Sequence, residues 1–248
     1  MLAESYHSRL VTDIREAGHQ YRSGRLVIHL ARELGFCYGV DRAVDYAYQA
    51  RKRFPSRRVH LTGEIIHNPH VNDELRAMGI RFLNGDRAAI DALGPDDVVI
   101  LPAFGVTIEQ LATFEARGCT LVDTTCGSVL NVWKNVRRYT DSGLTSIIHG
   151  KYRHEETQAT ASQARRDGRG HYLVVLDKTE AGIVCDYIRH GPAVTGAGLP
   201  PCLWRKRFQI VDKLFPLPLL NVETVFWLGH VYLLRSARAY RSSWQRRL

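Results

Sequence analysis

Gly35-Phe36-Cys37-Tyr38-Gly39-Val40-Asp41-Arg42-Ala43 is the stretch on which the fold turns. A mostly apolar run, Leu26 to Leu30, leads toward it and reads as a strand. A helical pattern leaves it, with Val40, Val44, Ala47 and Tyr48 on one face. A cysteine is therefore held between two glycines where a strand hands over to a helix. Gly35 and Gly39 allow backbone angles and close approaches that a Cβ would resist. The start of a helix presents unpaired N–H groups and a positive dipole end, an environment that favours a thiolate over a thiol. A small buried cysteine beside a tight turn is the competing reading.

Outward from this stretch, residues 26 to 190 alternate between the two periodicities. Strands are predicted at Leu26–Leu30, Arg58–Thr62, Ile80–Leu83, Asp97–Pro102, Thr120–Asp123, Thr145–His149 and His171–Leu176. Helices are predicted at 40–53, 69–78, 86–93, 107–117, 127–141, 155–166 and 178–189. In the fifth of these, Val129, Val132, Trp133 and Val136 share a face. Strands alternating with helices imply parallel pairing through crossover connections. The fold class is α/β, built of small parallel-sheet domains and followed by an irregular C-terminal tail. The expected boundaries are an N-terminal extension at 1–25, a first α/β domain at 26–126, a second at 127–190 and a tail at 191–248.

Composition narrows the function classes. An apolar fraction of 45% and a charged fraction of 24% are those of a globular protein. Five cysteines without dense spacing argue against a disulfide framework and for a reducing, cytoplasmic setting with free thiols. Met1 to Arg25 carries Glu4, Asp13 and Glu16 and lacks an apolar core, so no signal peptide is expected. Nine Lys/Arg against two acids give residues 191–248 a net +7 of the chain's +9. The body is nearly neutral, and no nucleic-acid partner is expected of it. The apolar stretch Leu214 to Leu234 is broken by Pro216, Pro218, Asn221, Glu223 and His230, so no membrane span is expected.

In parallel α/β sheets chemistry gathers at the carboxyl ends of strands. There the chain places Cys37, then Gly63-Glu64-Ile65-Ile66-His67-Asn68, then Pro102-Ala103-Phe104-Gly105-Val106-Thr107. Thr124-Thr125-Cys126-Gly127 and Gly150-Lys151-Tyr152-Arg153-His154-Glu155-Glu156 follow the later strands. Cys126 repeats the arrangement of Cys37: strand, turn, cysteine, helix. Such dispersed groups converge only through the fold, unlike a local CxxC chelate. Each has a plain structural reading as well: Cys126 as a small buried residue, His67 and His154 as caps or core, Glu156 as a complement to a helix N-terminus. Cys119 and Cys185 read as core residues.

Taken together, the first stretch with Glu64-Ile65-Ile66-His67-Asn68, Asp123-Thr124-Thr125-Cys126 and His154-Glu155-Glu156-Thr157 resembles the 4-hydroxy-3-methylbut-2-enyl diphosphate reductase family over roughly residues 26–190. That family is a trefoil of three α/β domains around a 4Fe-4S cluster held by three cysteines. The resemblance implies two of the three domains here, with Cys37 and Cys126 as cluster ligands, Glu156 as proton donor, and His67 and His154 as substrate-binding residues. It implies reductive removal of an allylic hydroxyl, giving isopentenyl and dimethylallyl diphosphate in the methylerythritol phosphate pathway. The partners implied are an allylic diphosphate substrate and a reduced ferredoxin or flavodoxin-type electron donor.

Two departures accompany the resemblance. Phe104 stands where the family usually has a histidine, so a diphosphate contact is lost or replaced, with Lys151 or Arg153 nearby. Beyond His190-Gly191-Pro192 the alternation stops, and the third domain, with its cysteine and Ser/Asn set, has no counterpart. Three of the four tryptophans and five of the nine prolines fall in residues 191–248. The preferred explanation is a change of reading frame near residue 191. The function readings that follow are a reductase completed by Cys202 or a partner chain, an inactive remnant, or a basic-tailed protein for nucleic acid or anionic membrane. In the family the strand before the first cysteine pairs within the third domain, so Leu26–Leu30 is expected to lack partners.

Overall fold

The computed structural model describes residues 8–166, 168, 170–190, 227–228 and 231–232. They form two compact units: residues 8–103 with 119–126, and residues 104–118 with those described beyond 126. The expectations placed on residues 191–226 and on Cys202 lie outside the described residues, as does nearly all of the basic tail.

The first unit begins with helix α1 (Arg9–Glu16), capped by Ser8, whose Oγ accepts from the Val11 N–H at 3.4 Å. A hairpin of β1 (Gln20–Ser23) and β2 (Leu26–His29) follows, with Ser23 opposite Leu26. Here the structure corrects the sequence reading. The strand before Cys37 is not left unpaired, because the preceding segment folds back onto it. Gly24, at φ +56°, occupies the first position of the two-residue turn, where a left-handed angle matches the twist of the flanking strands. All eight hairpin residues are exposed.

Helix α2 (Tyr38–Arg53) then packs Ala43, Val44, Ala47 and Tyr48 onto the core. The sheet comprises β3 (Arg58–Leu61), β4 (Arg81–Phe82), β5 (Asp97–Leu101) and β6 (Thr120–Asp123). Its order is β4-β3-β5-β6 and every pairing is parallel. Helix α3 (Pro69–Ala77) links β3 to β4, and α4 (Arg87–Asp91) links β4 to β5. Strand β5 is buried at every position, as its unbroken run of Val98, Val99, Ile100 and Leu101 requires. From β3 the chain moves to one edge and from β5 to the other. The topological switch point therefore opens between the carboxyl ends of β3 and β5.

Helix α5 (Ile108–Ala116) connects β5 to β6 in sequence but belongs to the second unit. That unit adds α6 (Gly127–Asp141), β7 (Thr145–His149), α7 (Glu155–Ala164), β8 (His171–Val175) and α8 (Lys178–His190). Strands β7 and β8 pair in parallel, and β9 (Trp227–Leu228) and β10 (Val231–Tyr232) extend the sheet antiparallel beside β7. Helix α7 is the buried element: seven of its residues, Thr157 and Ala159 through Ala164, are shielded from solvent. Its small side chains allow close packing with α5, α6 and the sheet. Trp133 on α6 donates from Nε1 to Thr160 Oγ1 at 3.2 Å, and Ser162 Oγ accepts the Ile108 N–H at 3.1 Å.

Two thiols are placed otherwise than expected. Cys185 is exposed, since the buried side of α8 is set by Val184 and the next residue turns about 100° away from it. Cys119 precedes β6 and is half-buried. Among the described residues no helix is long and apolar enough to cross a membrane.

Candidate functional site

The carboxyl end of the first sheet is stitched together by backbone bonds that centre on Ala103. Its N–H donates to the Ile65 carbonyl at 3.2 Å, and its own carbonyl accepts the Cys126 N–H at 2.7 Å. This single residue, two beyond β5, thus ties the loop bearing His67 to the turn bearing Cys126. Thr124 adds two bonds to the Leu101 carbonyl, from N–H at 3.3 Å and from Oγ1 at 2.5 Å. Asp123 accepts from the N–H and the hydroxyl of Thr125 at 2.9 and 2.5 Å. The run Asp123-Thr124-Thr125 is therefore a scaffold: its polar groups hold one another, and Cys126 is presented after them.

Cys37 is the N-cap of α2, with φ −73° and ψ 161°, and is exposed. Its carbonyl accepts the Asp41 N–H at 2.9 Å, closing the first turn. Cys126 is half-buried. Its Sγ lies 2.2 Å from where a Cβ on Gly39 would stand. The second cysteine thus rests against the first turn of the helix that the first cysteine caps. The sequence placed both cysteines at strand-to-helix turns, and the fold brings those turns to one helix end. Gly35, at φ +113°, sets the chain direction into this cap.

His67 sits on the loop after β3, half-exposed, with its Nδ1 2.9 Å from Glu64 Oε2. The Nδ1–H therefore donates to the carboxylate, and the ring donates at Nε2 only when it carries both protons. Asn72 braces this loop from α3. Fully buried, it accepts the Ile65 N–H at 3.2 Å and donates to the Ile66 carbonyl at 2.9 Å. Asn68 caps α3 by accepting the Val71 N–H at 3.3 Å.

In the second unit His154 is the N-cap of α7, and its Nδ1 accepts the Glu156 N–H at 3.3 Å. The neutral ring consequently carries its proton on Nε2 and donates there. The capping and donor readings of His154 are therefore compatible: one nitrogen serves each. Glu156 is partly buried in the first turn of α7, beside exposed Glu155. Phe104 is buried and packs against the His154 ring in a T-shaped arrangement, with centroids 6.1 Å apart at 63°. Lys151 and Arg153 are exposed.

Sequence reasoning missed the braces of this second loop. Glu180 is buried on α8 and accepts from the Tyr152 hydroxyl at 2.5 Å and the Leu176 N–H at 2.8 Å. It thereby fixes the segment between β7 and His154. The Asp177-x-x-Glu180 spacing of a helix start was the available signal: the Glu180 N–H donates to Asp177 Oδ1 at 2.9 Å.

A sequence model of the LytB protein family matches residues 28–195. The 4-hydroxy-3-methylbut-2-enyl diphosphate reductase of Synechococcus sp. (strain WH7803) is 50% identical over 189 residues, covering 75% of this chain and 46% of that protein. The enzyme of the same name from Gloeobacter violaceus is 48% identical over 196 residues, covering 77% of this chain and 46% of that protein. A solved structure of (E)-4-hydroxy-3-methyl-but-2-enyl diphosphate reductase superposes with a TM-score of 0.54 at 28% identity, covering 64% of this chain and 53% of that one. The Plasmodium falciparum reductase structure shares the fold, with a TM-score of 0.53 at 22% identity over 61% of this chain and 45% of that one. The chain spans about half the length of the curated relatives it matches. With a family match that runs from β2 to beyond α8 and takes in both cysteine turns, the chain belongs to the LytB family.

Proposed function

We propose that this chain carries part of the site for reductive dehydroxylation of an allylic diphosphate, the activity named for its relatives. The observation that carries the reading is the meeting of two cysteine-bearing turns at one helix N-terminus, with Cys126 Sγ in the space left by Gly39. Two thiolates at a positive helix end suit a 4Fe-4S cluster, and Cys37 and Cys126 would hold it. When bound, the cluster supplies electrons and a Lewis-acidic iron for the leaving oxygen.

The other residues take roles that their geometry supports. His154 donates from Nε2 to a diphosphate oxygen while its Nδ1 stays on the α7 backbone. His67, hydrogen-bonded through Nδ1 to Glu64, offers a second donor at Nε2 when doubly protonated. Glu156, two residues into the same turn as His154, gives up a proton as the hydroxyl departs as water. The overall change consumes two electrons and two protons, and it needs a small reduced carrier of the ferredoxin or flavodoxin class. Free thiols and an oxygen-sensitive cluster fit a cytoplasmic setting.

Anaerobic reconstitution of the full chain with iron and sulfide, read by absorption and Mössbauer spectra, tests this. A 4Fe-4S signal is expected, lost in Cys37→Ala and in Cys126→Ala and retained in Cys119→Ala. A chain that takes up no cluster, or one whose cluster survives both substitutions, overturns the proposal.

A further inference from the structure

Gly39 carries a different implication from its neighbour Gly35. Its φ is not left-handed, so no backbone angle demands glycine there. It lies inside α2 and is buried, where glycine is less favourable than alanine for helix stability. Local propensity therefore argues for a side chain, and the sequence has none.

The reason is steric. A Cβ at position 39 would meet Cys126 Sγ at 2.2 Å and Cys126 Cβ at 3.1 Å. Carbon and sulfur atoms in contact sit well beyond the first of these distances. Rotation of the Cys126 side chain would relieve the Sγ clash and leave the Cβ contact tight. The turn cannot back away freely, because the Cys126 N–H is bonded to the Ala103 carbonyl at 2.7 Å and the Thr125 N–H and hydroxyl are bonded to Asp123. A side chain at position 39 thus turns the thiol out of the space beside Cys37's helix end.

We propose that Gly39 is a positioning residue, and that the bare face it gives α2 is the seat of the Cys126 thiol. The role assigned to that thiol rests on the reading of Cys126 as a cluster ligand; the seat itself does not. Both cysteines are then placed by the first turn of a single helix: Cys37 occupies the N-cap position of α2, and the Cys126 thiol lies against Gly39 two residues on.

Gly39→Ala in the full chain tests this with readouts that do not depend on turnover. In the iron-free protein, alkylation of Cys126, followed by mass spectrometry, is expected to rise at least about fivefold, the lower end of what relief of an overpacked contact drives. Cys119 serves as the internal reference and should not change. The thermal midpoint is expected to fall in Gly39→Ala, and to fall less when Cys126→Ala is already present, because the sulfur that clashes is gone. Iron per chain after reconstitution should drop with it. Unchanged Cys126 alkylation, or the same loss of midpoint in both backgrounds, overturns the seat. If Gly39→Ala does not fold, adding Cys126→Gly restores folding when the clash is the cause; failure to restore it overturns the proposal. A wild-type chain that binds no iron would defeat the cluster reading and leave the alkylation and midpoint results to decide this one.

Discussion

Asp97 and His60 form a buried polar contact in the first unit, at the end of the four-stranded sheet opposite Cys126. Asp97 is fully buried at the start of β5, with Oδ1 3.0 Å from His60 Nε2 and Oδ2 2.7 Å from Arg58. Burial alone would raise its pKa, but the Gly94 N–H, His60 and Arg58 together hold it below the usual carboxylate range. His60 is pushed below its ordinary value, chiefly by burial, against the pull of Asp97. Both shifts have the same sign for stability. A depressed folded pKa means that the unfolded chain binds more protons, so stability falls as pH drops. His60 contributes first, below its ordinary value of 6.5, and Asp97 later, below 3.8. Urea midpoints are expected to fall between pH 7 and pH 5, and to fall less in His60→Gln; equal slopes would refute this. Asp97→Asn should lower stability by about 1–3 kcal/mol at pH 7, since it leaves buried donors poorly matched. None of this was legible from sequence, where Asp97 read only as the polar start of a strand. Phe104 is the converse case. The substitution was visible, but its contact with His154 required the fold. Phe104→Leu should keep the site buried yet loosen the imidazole, seen as loss of the single Nε2–H tautomer in nitrogen NMR of His154.

At the scale of elements, periodicity located the helices and strands of residues 38–190 well, because most present one apolar face to a sheet or a core. In the N-terminal hairpin it located β2 and missed β1. Gln20–Ser23 is short, polar and exposed, and only Ser23-Gly24 hints at a turn. The candidate site was legible as residue types at strand ends. Its supports were not, since Asn72 reaches back from the helix that follows its loop and Glu180 reaches across from α8, beyond α7 and β8. Asn72→Ala leaves the Ile65 N–H unsatisfied in the core and takes one of two donors from the Ile66 carbonyl, which keeps the Asn68 N–H, and should cost about 1–3 kcal/mol. Faster hydrogen exchange in residues 63–68, with β3 unchanged, is the accompanying signature. Exchange rising equally across β3 would mean that Asn72 supports the sheet rather than the loop.

For the whole molecule, the assignment of α5 to the second unit is the feature with the longest reach. The chain passes between the units three times, after Ala103, Gly118 and Cys126. Strand β6 therefore joins the first sheet only after the chain has contributed a helix to the second unit. A chain stopped at Gly118 leaves the β6 side of β5 with unpaired backbone groups and should be more protease-sensitive than one stopped at Cys126. Equal cleavage of β5 in the two would show that β6 does not protect it. During synthesis the consequence is one of timing. The nascent chain exposes Cys37 long before Cys126 emerges, and the four-stranded sheet that presents Cys126 is incomplete until the last of β6 leaves the ribosome. The glycine-flanked thiol must pass that interval alone, so the proposed two-thiol site can assemble only after Cys126 has been made.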